Sequence, residues 1–168
     1  MRAVVSGGLA AVGLALAALT LLSESTGYPL LGTALLVVGV GAGFSFTVTA
    51  DVILSSVPKD QAGAAAAVSE TAYELGAALG IALLGSIVTG VYRDFHGPAG
   101  TPAQAHESLG GAVESTAGLP AHTAEAVLSS ARAAFVDGLA LAAGAGAAVL
   151  LATAVAAWFL LRGQKLEA

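Results

Sequence analysis

The sequence contains no cysteine and no asparagine, and charged residues are scarce in it. Without cysteine the chain forms no disulfide, no zinc-thiolate site and no thiol nucleophile. Charged residues are 10% of the 168 residues, whereas a typical soluble domain has about 25%. The helices of a soluble bundle would need polar outer faces, and the apolar segments of this chain have almost none. These absences therefore argue against a soluble bundle.

What the sequence has instead is long runs without a charged residue. They cover Ala3–Ser23, Ser25–Ala50, Leu75–Tyr92 and Gly138–Leu161, and each is near or above the roughly 18 residues expected of a membrane span. We predict an all-α, polytopic membrane protein whose four transmembrane helices cover about residues 3–22, 28–56, 62–92 and 135–161. A long external loop follows the third helix, at about residues 93–134. The first run has the alternative of a signal peptide, but its length and the spans after it favour a retained helix.

The lysine and arginine residues predict the orientation of the chain. With a cytoplasmic N-terminus, four of them fall inside and two outside, and the opposite topology reverses these numbers. The inside residues are Arg2, Lys59, Arg162 and Lys165, and the outside residues are Arg93 and Arg132. We therefore expect a multi-pass protein of the plasma membrane with both termini cytoplasmic. The net charge of −5 indicates no nucleic-acid partner.

Two glutamates are the most unusual residues of the third helix. Glu70 and Glu74 are the only charged residues between Ala62 and Tyr92, and they fall near the middle of the predicted span. A charged side chain at that depth costs about 2.5–3.5 kcal/mol. Because packing gives no reason for this cost, the pair is predicted to be functional. The alternative is a structural role, with each glutamate hydrogen-bonded to a neighbouring helix.

The spacing of four residues places both carboxylates on one helix face. Small side chains share that face, and Tyr73 lies on it too, so water or a ligand has space beside the pair. Two carboxylates close together in an apolar medium do not ionise easily at the same time. The pair is thus suited to taking up and releasing a proton, and when ionised it attracts an organic cation.

Glycines predict where helices pack closely. Gly76 and Gly80 form a small-residue motif in the third helix, on a different face from the glutamates. The second helix contains Gly39, Gly41 and Gly43, whose spacing and helical setting do not match a dinucleotide fingerprint. Helix contact or bending is the expected role of all five.

Other polar residues give weaker signals. Asp51 lies near the cytoplasmic end of the second helix, where it is either a gating or proton-entry residue or, more simply, a solvated aspartate at the interface. The three histidines, His96, His106 and His122, are all in the external loop and match no metal-site spacing. No nucleophile elbow, P-loop or catalytic triad is present. The sequence therefore predicts no enzyme, no metal site and no bound cofactor.

Several motifs together carry a family resemblance. They are T-A-D-V-I-L at the end of the glycine-rich helix, V-P-K-D-Q-A-G, A-A-A-A-V-S-E-T-A-Y-E-L-G, G-I-A-L-L-G-S-I, and A-R-A-A-F-V-D-G-L before the last helix. With these motifs the chain resembles the end of a drug/proton antiporter of the fourteen-helix branch of the major facilitator superfamily. The resemblance covers nearly the whole chain and is most specific in the third helix.

The resemblance implies export of lipophilic, often cationic compounds in exchange for protons, the coupling ion. An acidic residue at the position of Glu70 is typical of the family and is linked there to substrate or proton handling. Glu74 and Asp51 match positions that are often acidic or polar. Tyr73 differs from a common variant that has a basic residue, which leaves the substrate preference open.

The resemblance also implies that the first of two helix bundles lies outside this chain. Such transporters alternate access by moving two helix bundles about a central site, and the four helices would correspond to the last four of the fold. We expect a C-terminal fragment whose partners are the missing N-terminal helices, and which does not transport alone. The alternative is a self-standing four-helix subunit that binds or scaffolds a partner, with glutamates satisfied within the four helices or between copies.

Overall fold

The computed structural model describes residues 2–23 and 26–161, which form helices and contain no strand. The described residues form five α-helices: α1 (Arg2–Leu19), α2 (Tyr28–Ser55), α3 (Ala62–Arg93), α4 (Leu109–Thr116) and α5 (Ala121–Leu160). Four of them, α1, α2, α3 and α5, are long and apolar enough to cross a membrane. The predicted fold class, an all-α membrane protein with four spans, is confirmed. Arg162 and Lys165, which the predicted orientation uses, lie outside the described residues.

Prolines mark the starts of two of the long helices. Pro29 lies in the first turn of α2, and Pro120 directly precedes α5. The first N–H groups of a helix have no partner within that helix, so a residue without an N–H costs nothing there. Pro58 and the short 3₁₀ helix Lys59–Gln61 separate α2 from α3.

The spans are arranged in the order α2, α1, α5, α3. Helix α1 packs against α2 on one side and α5 on the other, while α3 packs mainly against α5 and only lightly against α2. Glycines allow the closest approaches. A Cβ atom on Gly8 would lie 2.8 Å from the carbonyl oxygen of Gly41, and a Cβ atom on Gly41 would lie 2.9 Å from that of Gly8. The backbones of α1 and α2 are therefore in direct contact.

Glycines also form the contacts of α5. A Cβ atom on Gly13 of α1 would lie 2.9 Å from the Leu151 side chain, and one on Gly138 would lie 3.0 Å from the carbonyl oxygen of Val88 in α3. In a membrane, apolar side chains gain little by leaving lipid for protein, so close packing of small residues is what holds helices together.

The last helix begins earlier than the sequence predicted. It starts at Ala121, whereas the apolar run places the start of the span near residue 135. Glu125, Arg132 and Asp137 interrupt the apolar pattern before the last charge-free run. The helix nevertheless includes this part, because its Val127 and Ala131 are fully buried in a small core. The segment predicted as a loop at 93–134 is thus largely structured.

That small core forms a cap beyond one end of the spans. It contains Tyr92 and Phe95 from the end of α3, Ala105 and Ala112 from the connecting segment, and the early residues of α5. The Tyr92 hydroxyl donates a hydrogen bond to the carbonyl oxygen of Ala105 at 2.8 Å. At the start of α4, the Ser108 hydroxyl accepts from the backbone N–H of Gly111 at 3.0 Å, a side-chain cap that helix starts favour.

Candidate functional site

Helix α3 carries the glutamates and is the least covered of the four spans. In the most apolar 18-residue stretch of α3, 6% of the residues are buried, whereas 33% are buried in the corresponding stretch of α1. Its contacts with α5 lie towards the cap, where Gly138 meets Val88. The opposite half of α3 contains Glu70 and Glu74 and lies beside α2, with which α3 has few contacts.

Both glutamates lie on the open flank of α3. Their side chains are exposed, and neither forms a hydrogen bond or an ion pair with any residue in the described ranges. At 3.6 residues per turn, Glu70 lies about 60° and Glu74 about 100° around the helix from Tyr73, on the same side. The rise between them is about 6 Å. The carboxylates are therefore neighbours, beside the α2 contact but not inside it.

Tyr73 is the residue that joins this part of α3 to α2. Its ring meets the ring of Phe46 edge-on, with the centroids 5.2 Å apart and the planes at 77°. This arrangement is favourable for two aromatic rings. The Tyr73 hydroxyl is buried and has no hydrogen-bond partner among the described residues. A buried hydroxyl without a partner is costly, so this group is a candidate for binding something that the four helices do not supply.

A cavity of about 240 Å³ lies beside Tyr73, between the four spans. Its lining is mostly apolar, with hydroxyl-bearing side chains on the α2 and α3 sides; it consists of Leu9, Val12, Ala42, Ser45, Phe46, Thr49, Tyr73 and Leu150. The Ser45 hydroxyl is buried without a partner in the described part of the chain, as is that of Tyr73. The cavity thus combines an apolar body with a few polar groups, as small-molecule sites commonly do.

Sequence reasoning did not find the α2 side of this cavity. Ser45, Phe46 and Thr49 recur at helical spacing, which places them on one face of α2. Serine, threonine and phenylalanine are common in membrane helices, however, and this spacing does not show which face meets α3. The contact between Phe46 and Tyr73 becomes visible only once the helices are placed.

Asp51 is not brought to this cavity. It is exposed, and it lies about 140° around α2 from Phe46 and about 160° from Thr49, on the opposite side of the helix. The structure therefore places Asp51 away from the cavity beside Tyr73, and its role in gating or proton entry stays a prediction.

The five glycines predicted to pack have different surroundings. Gly41 lies in the α1–α2 contact described above. A Cβ atom on Gly39, Gly43, Gly76 or Gly80 would meet no atom within 4 Å, because these residues face away from the other described helices. Helix packing by these four glycines stays a prediction. Gly8, Gly13 and Gly138, which do form close contacts, were not singled out from the sequence.

The histidines of the connecting segment belong to the cap. His106 stacks on Phe95 with the ring centroids 4.5 Å apart, while His96 and His122 are exposed. Within residues 2–23 and 26–161, no three His, Asp or Glu side chains are grouped so that they could hold a metal ion.

Comparison with known proteins identifies efflux proteins as relatives. Over 123 residues the chain is 53% identical to the multidrug efflux pump LfrA of Mycolicibacterium smegmatis, and the match covers 70% of this chain and 24% of LfrA. Over 169 residues it is 33% identical to the methyl viologen resistance protein SmvA of Salmonella typhimurium, with 96% of this chain and 34% of SmvA covered. No family model and no solved structure matches the chain.

The chain is a relative of the drug/proton antiporters of the major facilitator superfamily. The resemblance predicted from its motifs is thereby confirmed. The chain spans about a quarter of the length of LfrA and about a third of that of SmvA. Together with the four apolar helices, these relatives identify a multi-pass membrane protein that is related to efflux proteins.

Proposed function

We propose that this chain is the C-terminal part of a proton-coupled exporter of lipophilic or cationic compounds, and that it is not active alone. The observation that carries the proposal is the open carboxylate flank of α3. Glu70 and Glu74 are exposed at mid-span and have no partner in the described part of the chain. Carboxylates at that depth normally face a bundle interior or a water-filled path, and a second helix bundle would provide one.

The proposed site consists of the two carboxylates with the Phe46–Tyr73 pair beside them. The carboxylates attract a cation or take up protons, and the aromatic rings and the cavity accept the apolar part of a substrate. The name of SmvA refers to methyl viologen, a flat organic dication. Two carboxylates about 6 Å apart along α3 are suited to a compound with two positive charges, and we extend this substrate class to the present chain.

In the proposed topology both termini are cytoplasmic and the protein lies in the plasma membrane. The cap then lies on the external side. The alternative, a self-standing subunit, requires glutamates that are satisfied within the four helices or between copies. The lack of a partner for Glu70 and Glu74 among the described residues favours the exporter.

The test is Glu70→Gln in the complete protein that contains this chain. The amide keeps the shape of the side chain but neither takes up a proton nor attracts a cation. We expect proton-driven transport of methyl viologen into inverted membrane vesicles to fall below about a tenth of the wild-type rate, which is about 1.4 kcal/mol in the barrier.

Glu125→Gln is the matched control, because Glu125 is an exposed glutamate in the early part of α5, far from the carboxylate flank. This variant should transport at the wild-type rate. Unchanged proton-driven transport by Glu70→Gln, at equal amounts of protein in the membrane, would exclude Glu70 from the coupling site.

A further inference from the structure

A groove lies on the face of α1 opposite the residues that line the cavity beside Tyr73. It runs between α1 and α5 and has a volume of about 440 Å³. Small residues of α1, Ala3, Gly7 and Ala10, form one side, and Val155 and Trp158 of α5 contribute to the other. The groove ends near Leu151, where a Cβ atom on Gly13 would lie only 2.9 Å from the Leu151 side chain and the two helices are in contact.

One end of the groove carries a positive charge. The Arg2 guanidinium lies over the Trp158 ring, 4.6 Å from the centroid, in a cation–π contact. Arginine and tryptophan at the end of a span are typical of the level of the lipid headgroups. Within residues 2–23 and 26–161, no carboxylate forms an ion pair with Arg2. The positive charge is therefore available to an anion at the mouth of the groove.

A buried hydroxyl lies deeper in the same groove. Ser6 lines it, is only 7% exposed, and its hydroxyl has no hydrogen-bond partner among the described residues. Ser6 is four residues after Arg2, which places it about 6 Å further into the membrane. The order along the groove is a cation, then a hydroxyl donor, then an apolar channel.

We propose that this groove binds one anionic glycerophospholipid. The phosphate lies at Arg2, an ester carbonyl of the glycerol accepts a hydrogen bond from the Ser6 hydroxyl, and an acyl chain follows Ala10 towards Leu151. From Trp158 to Leu151 the groove is about 10 Å long. A docked transmembrane helix would need a strip about 30 Å long, so the short groove with a charged mouth fits a lipid and not a helix.

Trp158 provides the measurement, because it is the only tryptophan in the sequence and it lines the groove. The full 168-residue chain is reconstituted in phosphatidylcholine vesicles that contain brominated phosphatidylglycerol or, at the same mole fraction, brominated phosphatidylcholine. Bromine quenches tryptophan fluorescence on contact. We expect the anionic lipid to bind at the Trp158 site about fivefold more strongly, the factor that one basic residue contributes near a membrane surface.

Two variants test the site itself. Arg2→Gln removes the charge, and Gly7→Leu fills the groove; a Cβ atom on Gly7 meets nothing within 4 Å, so the second variant should fold. Both should lose the preference for the anionic lipid. Arg93→Gln, which removes an exposed arginine at the far end of α3, should keep it.

Three results would overturn the proposal. Equal quenching by the two lipids in the wild-type chain would indicate ordinary boundary lipid. A preference that persists in both Arg2→Gln and Gly7→Leu would place the anionic lipid elsewhere. No quenching by either lipid would mean that protein covers the groove.

Discussion

Three hydroxyl groups in the spans, those of Ser6, Ser45 and Tyr73, are buried without a hydrogen-bond partner among the described residues. Most serine and threonine side chains of the spans avoid this cost by donating to a backbone carbonyl one turn earlier, as Ser69 does to Ala65 at 2.9 Å. A buried hydroxyl without a partner costs about 1–3 kcal/mol. We therefore regard these groups as marks of binding sites: Tyr73 and Ser45 at the cavity of the proposed transport site, and Ser6 at the groove proposed to bind lipid.

Tyr73→Phe separates a functional role of the hydroxyl from a structural one. The variant keeps the ring contact with Phe46 and removes a group that makes no hydrogen bond in the described part of the chain. The free energy of unfolding of the 168-residue chain in detergent should stay the same or rise by about 1 kcal/mol. Methyl viologen transport by the complete protein should fall.

Tyr73→Leu is the comparison for stability, because it removes the aromatic pair and should cost about 0.5–1.5 kcal/mol beyond the lost apolar area. If Tyr73→Phe destabilised the chain as much as Tyr73→Leu, the hydroxyl would have a structural partner and would not be a binding group.

At the scale of single residues, the sequence singles out the glutamates but not their surroundings. A charge inside an apolar run is conspicuous because of its cost in lipid, so Glu70 and Glu74 stand out in the sequence, and their role at a site stays a prediction. Phe46 and Ser45 do not stand out, since their importance depends on which face of α2 meets α3. The same limit applies to Asp51. An aspartate near the end of a span suggests a functional role, but Asp51 lies on the side of α2 opposite the cavity.

Among the elements, α1 is the helix that organises the spans, because it touches both α2 and α5. The contact with α2 depends on a pair of facing glycines, Gly8 and Gly41. The four helices could be predicted from the lengths of the apolar runs. These contacts could not, because glycine is abundant, with 22 residues, and composition does not show which glycines face each other.

Gly41→Ala and Gly76→Ala are a matched pair that tests this packing. A Cβ atom on Gly41 would lie 2.8 Å from Val12 Cγ2 and 2.9 Å from the Gly8 carbonyl oxygen, whereas one on Gly76 would meet nothing within 4 Å. Gly41→Ala should therefore lower the free energy of unfolding of the 168-residue chain by about 1–3 kcal/mol. Gly76→Ala should not lower it, and equal losses in the two variants would contradict the helix order.

The cap is an element that the sequence revealed only in part. Weak helical patterns are present around residues 107–116 and 122–134. Charged residues interrupt the apolar pattern there, so the sequence does not show that these residues form a core. Val127 and Ala131 are small residues and are fully buried. Their burial depends on packing against Tyr92 and Phe95, which lie at the end of a different helix, α3. Local patterns cannot show such a contact, so the sequence does not predict that one helix runs from Ala121 into the span.

Tyr92→Phe tests the cap. The substitution removes the hydrogen bond to the carbonyl oxygen of Ala105 and leaves that acceptor without its partner in a residue that is 0% exposed. This should cost about 1–3 kcal/mol, seen as faster amide hydrogen exchange in Ala103–Thr116. Tyr28→Phe, at a side chain that is 78% exposed, should leave exchange unchanged. If exchange in Tyr92→Phe were as slow as in the wild-type chain, the hydrogen bond would not be what stabilises the cap.

For the whole molecule, the four spans cover one another unequally. α1 lies between two neighbours, while α3 packs on one side and presents its carboxylate flank outward. Two carboxylates facing lipid at mid-span would be costly, so we infer that further helices cover this flank in the working protein. The central claim is thus that the transport site is completed by helices outside this chain.

The most direct measurement is the mass of the native polypeptide in source membranes, detected on a denaturing gel with an antibody against residues 106–118. The account predicts a band far above 16.2 kDa, the mass of this chain. A stable band at 16.2 kDa that copurifies with no other membrane protein would contradict it, because nothing would then complete the carboxylate flank of α3.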